Sequence, residues 1–292
     1  MFDFCRLLFG TIVLRPYVFA FLIIYLAASG FHLGWRRTLL FLPVGYCTAW
    51  LSEYSSIHWG FPYGDYFYIS STMDRELWVL GVPFMDSLSY VFLSYCSYAM
   101  ALFILSPVLF NGKQVIILET HHLRRSPQTL ILGAFLFVLL DIIIDPVALR
   151  GDRWFLGQIY GYRQNGLYFG IPMSNFGGWL LVGLAMIAVL QALDAFPSLE
   201  PKKPSLLAKI PGMGLLGPLL FLCILLFNLV VTFWIGEHFL GIVGCTILFF
   251  PSVLVLFFTI YKQSNLNPSH TAQHCRDFPM SAAHSPPLSS DI

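Results

Sequence analysis

Phe137-Val138-Leu139-Leu140-Asp141-Ile142-Ile143-Ile144-Asp145-Pro146 places two carboxylates inside a run of Leu, Ile and Val. The run is apolar enough to lie in a bilayer, where an ionised carboxylate costs roughly 2.5–3.5 kcal/mol on insertion scales. At spacing i, i+4 the two acids point to one helix face. Something must offset their cost, and a chemical role is the leading candidate.

The whole chain suits a bilayer. It has 292 residues, 57% hydrophobic, 17% aromatic and only 11% charged, against about 25% charged in a soluble domain. A formal net charge of +1 gives no basic field for nucleic acid. The six cysteines (Cys5, Cys47, Cys96, Cys223, Cys245, Cys275) form no CxxC and no close pair. Buried inert thiols are expected rather than disulfides or a zinc site. Arg15 and Pro16 interrupt the N-terminal apolar run and no A-x-A site follows, so no cleaved signal peptide is read.

Apolar runs near the spanning length of about 20 residues occur at 16–35, 38–59, 77–105, 128–149, 176–194, 213–235 and 239–261. The expected fold is an all-α polytopic membrane helix bundle of about seven transmembrane helices, with residues 2–14 as a short eighth or an interfacial piece. Residues 1–262 form the transmembrane domain, and the Ser-, Pro- and His-rich stretch 263–292 reads as a disordered tail. Under seven spans, ten Lys and Arg fall on one side and six on the other. The positive-inside rule puts the ten in the cytoplasm and turns the loops 60–76 and 150–175 outward, in a multi-pass cell-membrane protein.

Two segments, within units at about 38–105 and 128–194, resemble one another. Glu53 opens the first and Gly81-Val82-Pro83 closes it; Asp141 opens the second and Gly170-Ile171-Pro172 closes it. Three residues past each Pro stands a polar group, Asp86 or Asn175, and four further an aromatic, Tyr90 or Trp179. The copies run in the same orientation, so a duplication here would be a parallel repeat. Each Pro belongs near the first turn of a helix, where its missing N–H costs nothing.

Alternating topology brings Glu53, Asp86, Asp141, Asp145 and Asn175 to one membrane face, beneath two aromatic loops. The expected catalytic set is Glu53, Asp86, Asp141 and Asp145, and Asp141 stands out because it occupies the place of Glu53. The expected substrate-lining set is Trp59, Tyr63, Asp65, Tyr66, Tyr68, Tyr168, Asn175 and Trp179. A carboxyl kept from water favours its neutral form and is a general acid, and aromatic faces stabilise cations. Such a pocket suits protonation of an isoprenoid alkene to a tertiary carbocation, captured by water that a second carboxylate activates. The chemistry needs no metal, nucleotide or redox cofactor.

Glu53, Phe61-Pro62-Tyr63-Gly64-Asp65-Tyr66-Phe67-Tyr68, Gly81-Val82-Pro83, Leu140–Ala148 and Gly170–Trp179 together resemble the integral-membrane carotenoid biosynthesis family, over roughly residues 40–190. That family includes carotenoid 1',2'-hydratases and bisanhydrobacterioruberin hydratases. The resemblance implies hydration of an acyclic carotenoid end group of the lycopene, γ-carotene or C50 type, with water and the lipid bilayer as the other partners.

Rival readings remain open at this point. A UbiA-like prenyltransferase or carotenoid elongase would hold Mg²⁺ and a diphosphate with Asp141 and Asp145 near Arg150 and Arg153, but a second Asp-rich motif is missing. A proton-coupled transporter would use Asp141 and Glu53 as coupling acids. His121-His122 beside Arg124-Arg125 reads as a solvated loop.

Overall fold

The computed structural model describes residues 2–111, 114–199, 212–264 and 266–279. Helix α1 (Phe2–Leu14) turns by 91° into α2 (Pro16–His32), with Pro16 opening the second helix. Then come α3 (Trp35–Trp59), strand β1 (Tyr66–Tyr68), the β2 (Trp78–Val79) and β3 (Val82–Pro83) hairpin, and α4 (Phe84–Leu105). A hairpin of β4 (Val108–Asn111) and β5 (Gln114–Ile117) and the one-turn α5 (His121–Arg124) lead to α6 (Pro127–Ala148). Strand β6 (Tyr160–Tyr162) precedes α7 (Met173–Asp194). The chain ends in α8 (Leu216–Trp234), α9 (His238–Ser264) and α10 (Pro268–Asp277).

Among the described residues five helices are long and apolar enough to cross a membrane, and the bent α1–α2 pair makes a sixth. Helix α3, at 25 residues, is long enough but carries Arg36, Arg37 and Glu53. The architecture is a helical membrane bundle, with α2, α3, α4 and α6 to α9 at the seven expected runs. At 13 residues α1 is too short to span about 30 Å of hydrocarbon.

The third span starts at Phe84 rather than near 77, because Trp78–Pro83 is spent on a tight hairpin. Leu80 (φ 49°) and Gly81 (φ 86°) make that turn, and Phe169 (φ 51°) and Gly170 (φ 94°) make the equivalent one before α7. Leu80 and Phe169 are the two non-glycine residues with positive φ among those described. Such a conformation is uncommon without glycine, so its recurrence at matching positions is a structural likeness between the halves. Pro83 and Pro172 then serve as the N-caps of α4 and α7.

Helices α3, α4, α6 and α7 enclose the centre. Tyr90 stacks on Trp179 with ring centroids 4.7 Å apart, and Phe137 lies 4.6 Å from the same indole. Above them β1 and β6 pair antiparallel, Tyr66 opposite Tyr162 and Tyr68 opposite Tyr160. One strand from each half thus roofs the bundle. Helix α1 is tied to this end by a bidentate pair from buried Arg15 to buried Glu76, both contacts 3.0 Å.

The opposite end differs from the sequence reading. His121-His122-Leu123-Arg124-Arg125 is not simply a solvated loop. Arg124 is buried, and Arg124, Arg125 and His121 contact the buried Asp194 at 3.2, 2.8 and 2.9 Å, with Arg37 3.6 Å away. Glu119 joins through Arg124 (2.9 Å) and His32 (3.0 Å). Burial works to raise the Glu119 carboxyl, but the Arg124 guanidinium and the hydrogen bond from His32 hold it well below the usual range.

The expected disordered tail also needs correction at 268–277, which forms α10. Asn267 and His270 build a capping box at its start. His274 donates to the Glu119 carbonyl (2.7 Å) and Asp277 accepts from the His121 amide (2.9 Å). Residues 280–292 lie outside the described residues. Of the cysteines only Cys96 is buried; Cys5, Cys47, Cys223 and Cys245 lie on outward surfaces, so burial does not account for most of these thiols.

Candidate functional site

A cavity of about 50 Å³ lies beneath the β1–β6 ribbon. By a measure in which one water needs about 10–15 Å³, it has room for a few waters. Its acids and one amide form two walls. Helices α3 and α4 supply Glu53 and Asp86, while α6 and α7 supply Asp145 and Asn175; Tyr63, Tyr66, Tyr68, Tyr90, Tyr160, Tyr162 and Trp179 complete the lining.

Glu53 is 2% exposed and accepts a short hydrogen bond from Ser87. Asp86, in the first turn of α4, accepts from the Tyr68 hydroxyl at 2.6 Å. The other wall is richer in donors. Asp145 accepts from Tyr160 at 2.8 Å, Tyr162 at 2.7 Å and the Asn175 amide at 2.9 Å. The same Asn175 nitrogen donates to Asp141 at 2.8 Å.

Asp141 itself is wholly enclosed and does not line the cavity. Its second oxygen has no hydrogen-bond partner. Asp145, one turn nearer the ribbon, is the acid of this helix that meets the cavity. The expected primacy of Asp141 is therefore reversed in the geometry.

The phenols have a definite state. Burial, reinforced by the neighbouring acids, pushes Tyr68, Tyr160 and Tyr162 above the usual phenol range. They stay protonated and act as donors to the carboxylates.

The structure brings Glu53, Asp86, Asp145, Tyr63, Tyr66, Tyr68, Asn175 and Trp179 together. It leaves three expected lining residues outside. Trp59 is 73% exposed at the end of α3. Asp65 is an exposed turn residue whose carbonyl accepts from the Arg163 amide. The Tyr168 hydroxyl is turned to the Ile142 carbonyl at 3.3 Å. Tyr90, Tyr160 and Tyr162 were not in the expected set. The signal for the last two was available: Tyr160-Gly161-Tyr162 echoes Tyr66-Phe67-Tyr68. Arg150 and Arg153, which a diphosphate site would need, both pair with Glu237.

A family model described as "Carotenoid biosynthesis protein" matches residues 4–249, which include both acidic walls and the ribbon. The chain belongs to the carotenoid biosynthesis protein family. Within curated proteins it is similar to bisanhydrobacterioruberin hydratase of Haloarcula japonica, 29% identical over 185 residues. That alignment takes in 63% of this chain and 51% of the relative, so the chain spans about half the length of the relative it matches. No solved structure matches the chain. The family match ends within α9 and does not reach α10.

Proposed function

We propose that this family member adds water across the terminal C=C of an acyclic carotenoid end group, in the cell membrane and without a metal, nucleotide or redox cofactor. The observation that carries the reading is the pair of unlike acidic walls facing across one aromatic cavity. The relative's name as a hydratase supports the same reaction class.

Glu53 is the acid. Its carboxyl is enclosed, has Ser87 as its hydrogen-bond donor and shares its wall with a second acid, Asp86. It gives its proton to the CH carbon of the terminal double bond, leaving a tertiary cation on the dimethyl carbon. The faces of Tyr90 and Trp179 stabilise that cation. Asp145 is the base, since three donors suit a carboxylate. As water oxygen bonds to the cationic carbon, one water O–H breaks and its proton passes to Asp145. The product is a tertiary alcohol heavier by one water. The cavity is sized for water, so the isoprenoid end must displace ribbon side chains as it enters.

The substrate is an acyclic end of the lycopene, γ-carotene or C50 type. The positive-inside balance turns the cavity away from the cytoplasm. Expression in a lycopene-accumulating host in ¹⁸O-labelled water tests the reaction. The expected product carries one added water per reacted end, with the label in its hydroxyl. Unchanged acyclic carotenoids, with the protein confirmed in the membrane, would refute the reading.

A further inference from the structure

Each turnover leaves a proton imbalance. The acid wall has lost a proton to carbon, and Asp145 has gained one from water. Before the next substrate can react, a proton must return from the α6–α7 wall to the α3–α4 wall. This problem rests on the hydration reading above, and the structure offers a route for it.

The ribbon carries four tyrosines that all line the cavity. Tyr160 and Tyr162 hold Asp145, and Tyr68 holds Asp86. Tyr66 stands between them. Its ring lies 6.3 Å from Tyr160, 6.3 Å from Tyr162 and 5.3 Å from Tyr68. Its hydroxyl donates to that of Tyr68 at 3.4 Å. No direct hydrogen bond joins Tyr66 to any of the four acids among the described residues, so it neither shapes Asp145 nor holds Asp86.

We propose that Tyr66 is the bridging link of a proton-return path from Asp145 through Tyr160 or Tyr162, Tyr66 and Tyr68 to Asp86, from which cavity water carries the proton to Glu53 on the same wall. Each hydroxyl accepts one proton and gives up another, so no phenolate forms and each tyrosine ends as it began. Water in the cavity would complete the step between the Tyr160–Tyr162 pair and Tyr66, whose ring lies 6.3 Å from each of theirs in edge-on or tilted contact. Over one cycle the balance is one water consumed, one C–H and one C–O bond formed, and both walls restored.

A return path matters only after the first turnover, and that separates it from a structural role. In purified protein, Tyr66→Phe should slow the steady-state formation of hydrated carotenoid far more than it slows the first equivalent. Its steady-state rate should fall about 10²-fold, the lower end of the range by which a positioned proton-transfer group acts. A burst of one product per site followed by slow turnover is therefore expected. Tyr68→Phe, which removes the next hydroxyl, should show the same slow phase. Equal loss of both phases in Tyr66→Phe would make its role structural and overturn the proposal, as would wild-type rates in both. If wild-type protein itself forms no first equivalent, the hydration reading fails instead.

Discussion

Asp145→Asn and Asp141→Asn should differ sharply, although the residues are one helical turn apart. Asp145 lines the cavity and Asp141 does not. Losing a positioned general base costs about 10²–10⁴ in rate, or about 3–5 kcal/mol of barrier. Asparagine keeps the shape of Asp145, and a tyrosine hydroxyl can turn to accept from the new NH₂, so the fold should survive. At Asp141 the amide oxygen can keep the hydrogen bond from Asn175, and the NH₂ falls where the present oxygen has no partner. An unsatisfied buried polar atom costs about 1–3 kcal/mol, but that cost already exists in the native protein, so the change is small. We expect Asp145→Asn to lose about 10²–10⁴ in kcat and Asp141→Asn no more than about tenfold. The assay is chromatographic quantitation of hydrated carotenoid from purified variants, with thermal melts to confirm folding. Equal or greater loss in Asp141→Asn, with both variants folded, would show that the deeper acid is the reacting one.

Two other substitutions separate the scaffold from the chemistry. Gly178→Ala would put a Cβ 2.6 Å from the Tyr63 ring and 2.7 Å from the Pro62 carbonyl. Overpacking of this kind costs about 1–3 kcal/mol, and it displaces a cavity residue, so both the melting temperature and the turnover should drop. Asp194→Asn withdraws the charge that buried Arg37 and Arg124 share at the far end. About 3–5 kcal/mol of stability should be lost, read as a lower melting temperature in detergent, while kcat of the folded protein at low temperature stays near wild type.

The apolar runs in the sequence were long enough to place the bundle, because a bilayer demands a minimum length of apolar chain. The cavity's acids and amide were legible for the same reason: Glu53, Asp86, Asp145 and Asn175 are strongly polar groups in predominantly apolar helices. What sequence could not resolve was depth. Asp141 and Asp145 are about 40° apart around the helix and about 6 Å apart along it. Only the position of the ribbon decides that the second meets the tyrosines. Trp59 was misplaced because a helix-end indole reads the same whether it faces a pocket or the outside. The ionic hub was hidden because its parts are remote in sequence: Asp194 lies some 70 residues from Arg124, and a basic run without a nearby acid looks solvated. Tail helix α10 was overlooked for a similar reason, since His274 and Asp277 find their partners on Glu119 and His121.

The likeness between the halves bears on how the two unlike roles proposed for the walls would fit in one small cavity. Both halves use an acid on the outgoing helix, a positive-φ pair, and a proline-started helix with a polar group three residues on. This shared frame aims side chains from both sides at the same space. The differences lie in what is aimed. Four residues past the first acid stands Ile57 in one half and Asp145 in the other; three past the proline stands Asp86 in one and Asn175 in the other. One wall therefore presents acids with few donors, and the other a single cavity-facing carboxylate with three. A symmetric pair of walls would offer the same group to both carbons of an alkene. The proposed hydration would need a proton for one carbon and an oxygen for its neighbour, and the points at which the two halves differ would provide the two.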